Sequence, residues 1–134
     1  MGGAHSRTKG AQGEREAAEL WLPYYPHCKR QFPRQQQGVD WPDIGCYEMN
    51  KVWFVEVKRY AKIAPWQIDK WLKKLQKEVN EFRKLEQVSP AAVLMFRVDR
   101  RPWFVVGLGH NRLPIPWKDF TMLIKERAIS RPPR

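Results

Sequence analysis

The run Val52-Trp53-Phe54-Val55-Glu56-Val57-Lys58 constrains the fold most tightly. Side chains alternate faces along an extended chain, so Val52 and Phe54 line one side while Trp53, Val55 and Val57 line the other. A strand apolar on both faces needs cover on both, which predicts a central strand in a sheet with other elements packed against it. Glu56 and Lys58 break that pattern on one face at the end of the run. Two charges at the end of a central strand call for a chemical reason.

The flanking segments build a sheet around this strand. Ile44 to Tyr47 is a second β-favouring run, separated from Val52 by Glu48-Met49-Asn50-Lys51, so a hairpin is expected. A helix is expected over Pro65 to Leu85, with proline in its first turn and Ile68, Leu72, Leu75, Val79 and Phe82 forming one apolar stripe. Ala91 to Arg97 and Trp103 to Leu108 flank Asp99-Arg100-Arg101-Pro102 as a second hairpin. Upstream, a helix is expected to begin near Gly13, with Ala17, Leu20, Trp21 and Tyr24 at helical spacing until Pro23 and Pro26 end it. An extended segment over Cys28 to Arg34 and a Gln-rich loop follow, and Trp117 to Ala128 is read as a last helix.

The order is therefore α-β-β-β-α-β-β-α. It predicts an α/β fold with a mixed sheet of about five strands flanked by helices. A chain of 134 residues suits one domain, placed at 13–129 between a flexible basic arm at 1–12 and a disordered tail at 130–134.

Lys and Arg number 25 against 14 Asp and Glu, a net charge of +11 that favours polyanionic partners, nucleic acid first among them. No apolar run approaches the roughly 18 residues of a membrane span. Cys28 and Cys46 fall in no CxxC or CxxH pattern, which reads as reduced thiols in a cytoplasmic protein rather than a disulfide or zinc site.

The chemistry-bearing pattern is Pro42-Asp43, twelve intervening residues, then Glu56-Val57-Lys58. A turn at Met49-Asn50 places Tyr47 opposite Val52 and Asp43 opposite Glu56, with the carboxylates about 5 Å apart at Cβ. Such a pair repels itself unless a cation lies between. Mg²⁺ prefers oxygen ligands and takes one or two protein carboxylates, so Asp43 and Glu56 with the Val57 carbonyl form a suitable set. Lys58, one step further on the same face, can orient or deprotonate a water or bind a phosphate. Glu14 shares a helix face with Ala17, Ala18 and Trp21 and is aimed inward, as the partner of an arginine or as a metal ligand.

Asp43…Glu56-Val57-Lys58 resembles the PD-(D/E)XK nuclease signature, with Pro42 as its first letter. Lys9-Gly10-Ala11-Gln12-Gly13-Glu14-Arg15-Glu16 resembles the N-terminal motif of archaeal Holliday-junction resolvases. Phage-borne endonucleases of resolvase type are similar and carry a stretch like Arg100-Arg101-Pro102-Trp103. The resemblance spans roughly residues 7 to 110. It implies a restriction-endonuclease-like core and a Mg²⁺-dependent endonuclease, with Mn²⁺ able to substitute, acting as a homodimer on branched DNA in a bacterial or phage-infected cell. It further implies that Asp43 and Glu56 bind metal, that Lys58 is catalytic, that Glu14 joins the active site, where it is counted among the metal ligands, and that Arg15 and Arg34 contact DNA; Lys9 is counted with these DNA contacts. Arg59, Lys70 and Lys74 are added as basic residues near that site. No membrane and no small-molecule cofactor are expected. A long helix rich in Trp and Lys departs from the resolvase pattern and bears on the dimer interface.

Plainer readings stand beside these. Glu and Lys two apart on a strand often form a surface ion pair, and Lys70, Lys73, Lys74 and Lys77 can be a solvated face. Trp66, Trp71, Trp103 and Trp117 read as core or interface residues. His5, His27 and His110 are isolated and read as structural or surface groups. The alternatives to a junction enzyme are a non-catalytic nucleic-acid-binding protein and a restriction- or repair-type nuclease on duplex DNA.

Overall fold

In the computed structural model, which describes residues 3–30, 42–48, 51–87, 90–108 and 113–130, strands and helices follow the predicted order. Helix α1 (Gly3–Trp21) is followed by β1 (Cys28–Arg30), β2 (Ile44–Glu48) and β3 (Lys51–Tyr60). Helix α2 (Pro65–Glu86), β4 (Ala91–Val98), β5 (Phe104–Gly107), β6 (Ile115–Pro116) and α3 (Trp117–Ser130) complete the chain. The strands form one sheet in the order β1-β2-β3-β4-β5-β6. Every neighbouring pair is antiparallel except β3 and β4, which run parallel. Parallel neighbours need a long crossover, and α2 supplies it. The mixed sheet flanked by helices is the fold class expected from the sequence; the short β6 is an addition to it.

The sheet buries both faces, as the Val52–Lys58 run requires. Val55, Val57, Val93, Met95 and Val105 pack on one side with Ala17 and Trp21 of α1 and Ile124 of α3. Phe54, Leu94, Phe96 and Val106 pack on the other with Leu72, Leu75, Val79 and Phe82 of α2. Helix α2 starts at Pro65, where the missing N–H of proline costs nothing. The Gln67 side chain accepts the Ala64 N–H at 2.7 Å, and Gln87 closes the helix in the left-handed region at φ 54°. Trp21 is fully buried and donates its indole N–H to Met95 Sδ at 2.9 Å, fastening α1 to the centre of the sheet.

The hairpin register is the one the turn predicts: Tyr47 pairs with Val52 and Ile44 with Val55. Three expectations are corrected. Helix α1 begins at Gly3 rather than near Gly13, because a helix, once nucleated, gains one backbone hydrogen bond per added residue and needs no apolar stripe to propagate. Of the two readings of Trp66, core or interface, the core one is excluded: the residue is 64% exposed, since it lies on α2 outside the stripe that meets the sheet. Cys28 and Cys46 are not reduced thiols but a disulfide. Their spacing carries no motif, yet the β1–β2 register sets them directly opposite one another, and an opposed pair on adjacent strands is within bonding range. The expected tail over 130–134 lies outside the described residues but for Ser130, which closes α3.

Candidate active site

Glu56, Lys58 and Tyr60 alternate along β3 on the face that α2 covers. Glu56 and Lys58 line a narrow cleft between sheet and helix, together with Trp71, Lys74, Leu75, Glu78 and Leu94. Burial pushes the Glu56 carboxyl well above its ordinary range; the negative charges of Asp43 and Glu78 add to the effect, and the Lys58 ammonium opposes it.

Asp43 stands just before β2, and continuing the hairpin register sets it opposite Glu56. Pro42 would face Val57 in the same continuation, but proline has no N–H for a ladder bond. The ladder therefore stops at Ile44, and the Val57 N–H is satisfied by Asp43 Oδ2 at 2.8 Å. This bond fixes the carboxylate beside β3. The Val57 carbonyl, on the same edge, has no proline N–H to receive.

Glu14 reaches the same strand end from α1, on the opposite layer. Its carboxylate accepts a hydrogen bond from Arg30 Nη2 at 3.1 Å and also lies within hydrogen-bonding reach of Asp43. Desolvation first, and the Asp43 charge second, raise its pKa from 4.5 to about 7, against the pull of the Arg30 guanidinium. The sequence left open whether Glu14 pairs with an arginine or joins the acidic site; the geometry has it doing both.

Glu14, Asp43, Glu56, Val57 and Lys58 thus converge, with Asp43 as the hinge between the two layers. The basic residues divide differently. Arg59 points to the α1 side, where its side chain is 15% exposed and its Nη1 donates to Glu16 Oε1 at 2.9 Å. Arg97, its register partner on β4, donates to the other oxygen of Glu16, also at 2.9 Å. One carboxylate thereby bridges two adjacent arginines and clamps α1 across β3 and β4. Arg15 and Lys70 are exposed on their helices. Lys74 lines the cleft and faces Glu78 at 3.9 Å. The side chain of Lys9 and the whole of Arg34 lie outside the described residues.

Three participants escaped the sequence. Glu78 lies three residues after Leu75 and four before Phe82, so it belongs to the sheet-facing surface of α2; that spacing was the available signal. Arg30 carries no local signal, and Glu16, although it closes the Lys9–Glu16 motif, carries none for its partners, which are distant in sequence.

Among the described residues, no three His, Cys, Asp or Glu side chains stand in metal-holding geometry. The donor chemistry nonetheless fits a hard divalent cation. The three carboxylates and the Val57 carbonyl are oxygen donors, and both Glu14 and Glu56 are driven towards protonation by burial first and by the Asp43 charge second. A cation relieves that crowding.

No family model matches the chain, and no curated protein matches it. Among solved structures it is similar to Hjc, a Holliday junction resolvase from Archaeoglobus fulgidus, at 16% identity and a TM-score of 0.49, over 85% of this chain and 88% of that one.

Proposed function

We propose that the chain is a divalent-metal-dependent endonuclease that hydrolyses DNA phosphodiester bonds, with branched DNA such as a four-way junction as its substrate. The observation that carries this is the convergence of Asp43 and Glu56 at the end of a central strand, with Lys58 one alternation beyond. Buried acids without a structural cation partner are costly. Glu14 has Arg30, and Asp43 has the Val57 N–H, but the largest influences on Glu56 are burial and other acids.

Asp43, Glu56, the Val57 carbonyl and Glu14 are the residues that would hold Mg²⁺, or Mn²⁺ in its place. Such an ion supplies Lewis acidity to the phosphate and to the attacking water. Asp43 is pre-positioned by its bond to Val57, so little side-chain freedom is lost on binding. Lys58 places its ammonium beside Glu56 and steadies negative charge on the scissile phosphate or orients the incoming water. Arg30 holds Glu14 in place. Substrate type and a homodimeric assembly rest on the resemblance of the Glu14 and PD-(D/E)XK motifs to those of resolvases, and a two-fold dimer suits a two-fold junction.

Glu56→Gln tests the assignment. Mg²⁺-dependent cutting is expected to disappear while DNA binding is kept or tightened, because one carboxylate less repels the phosphate. Wild-type cutting by the variant overturns the proposal and leaves a non-catalytic DNA-binding protein. Cleavage of a four-way junction, a flap and a plain duplex by the unmodified protein tests the substrate. Equal rates on all three remove the preference for branched DNA.

A further inference from the structure

Beyond the acidic cluster, the same face of β3 ends in Tyr60, one alternation past Lys58. Its ring stacks on Trp71 of α2, with centroids 5.5 Å apart and planes 13° from parallel. Lys58 Nζ lies 5.6 Å from the centroid of that same Trp71 ring. Catalytic lysine and aromatic pair therefore form one continuous surface. Trp71 covers one side of the tyrosine ring, yet Tyr60 remains 40% exposed. The packing of α2 is carried by Leu72, Leu75, Val79 and Phe82, which are all buried. Tyr60 is not among the residues of that core or those packed against it.

An exposed ring backed by a second ring is a stacking platform, and every nucleobase has a face to offer it. Same-face residues on a strand are about 6.6 Å apart, comparable with one nucleotide step of an extended strand. Lys58 and Lys74 line the cleft with Trp71, and Lys62 follows Tyr60 by two residues; Lys62 and Lys74 are exposed. A base held inside a duplex is stacked between its neighbours and cannot reach such a ring; a splayed base can.

We infer that the Tyr60–Trp71 stack seats one unpaired nucleobase of a DNA strand, adjacent to the phosphate that lies at Lys58. Only the identity of that phosphate rests on the endonuclease reading; the base seat is a binding site in its own right. Its ligand class is single-stranded or locally frayed DNA, the kind of segment found where duplex arms meet.

The experiment is a binding titration in EDTA, where no metal-dependent cutting occurs. A short single strand carrying one 2-aminopurine is compared with a blunt duplex of the same length. Wild type is expected to quench the fluorophore by stacking, and Tyr60→Phe to do the same. Tyr60→Leu keeps an apolar cover on Trp71 but loses the platform. It should abolish the quench and weaken single-strand binding about fivefold or more, with duplex binding unchanged. Undiminished quenching and affinity in Tyr60→Leu overturn the inference. Equal weakening on both DNAs overturns it too, because the ring is then packing alone. Separate cleavage assays in Mg²⁺ keep the two claims apart: a protein that stacks the base but never cuts retains the seat and loses the nuclease assignment.

Discussion

Asp43 owes its position to the residue before it. A buried proline ends the β2–β3 ladder, and the carboxylate takes the N–H that the ladder leaves behind. Glu14 then feels that fixed charge, and its raised pKa has a thermodynamic consequence. Below pH 4.5 both folded and unfolded chains hold the Glu14 proton. Between 4.5 and about 7 the unfolded chain releases it while the folded chain keeps it, so stability falls as pH rises across that window. Above about 7 both forms are ionised and the slope vanishes. Glu14→Gln cannot titrate. The stability of wild type minus that of Glu14→Gln, from urea unfolding without divalent ions, is therefore expected to decline from pH 4.5 to 7 and stay flat above. A difference independent of pH would place Glu14 in solvent. At this scale the sequence was informative where pattern is local: the turn at Met49-Asn50 was enough to oppose Asp43 to Glu56. It was silent on Arg30, which meets Glu14 only through the fold.

Helix α1 delivers Glu14, and its docking depends on how closely its backbone approaches β3. A Cβ on Gly13 would lie 3.0 Å from Arg59 Cβ and 3.7 Å from the Trp103 ring, whereas one on Gly10 would meet nothing within 4 Å. Arg59 Cβ is fixed by the strand backbone, so it is the helix that must move. Gly10→Ala is expected to gain about 1 kcal/mol from helix propensity. Gly13→Ala should lose that gain to the clash, and Gly13→Val should destabilise by about 1–3 kcal/mol through overpacking. Chemical denaturation of the three variants checks this. If Gly13→Ala stabilises as much as Gly10→Ala, α1 does not sit against Arg59. The sequence placed the helix start at Gly13 because apolar periodicity begins there, but periodicity reports where a helix is buried, not where it begins. For α2 the stripe and the helix coincide, and its bounds were legible to within a residue. The Cys28–Cys46 disulfide and the short β6 depend on register between strands, and no spacing rule reveals them.

At the scale of the whole molecule, a subset of the acids among the described residues gathers at the strand ends, while others, such as Glu19, Asp69 and Glu81, are exposed. Glu14, Glu16, Asp43, Glu56 and Glu78 face the strand ends and the clefts beside them, several against arginines, while Lys70, Lys73, Lys74 and Lys77 of α2 are exposed. Net charge was readable from composition; its distribution was not, because burial decides which cations meet solvent. That distribution separates Arg59 from the lysines with which the sequence grouped it. An arginine held by Glu16 at 2.9 Å, with Asp99 at 3.8 Å, must break a partly buried pair before it can meet a phosphate. Exposed Lys70 has only water to displace, and Lys74 only a loose, solvent-screened pair with Glu78 at 3.9 Å. Each phosphate neutralised in duplex DNA contributes about 0.9 to the slope of log Kobs against log salt. Lys70→Ala and Lys74→Ala are each expected to lower that slope by about 1, with little change in stability. Arg59→Ala should leave the slope unchanged and cost about 1–2 kcal/mol of folding stability, a charged hydrogen bond discounted for partial exposure. Binding isotherms over a salt series, paired with urea unfolding, separate the two behaviours. A slope that falls for Arg59→Ala and holds for the lysine variants would move the DNA to the α1 side of the sheet, away from the cleft that holds Glu56 and Lys58.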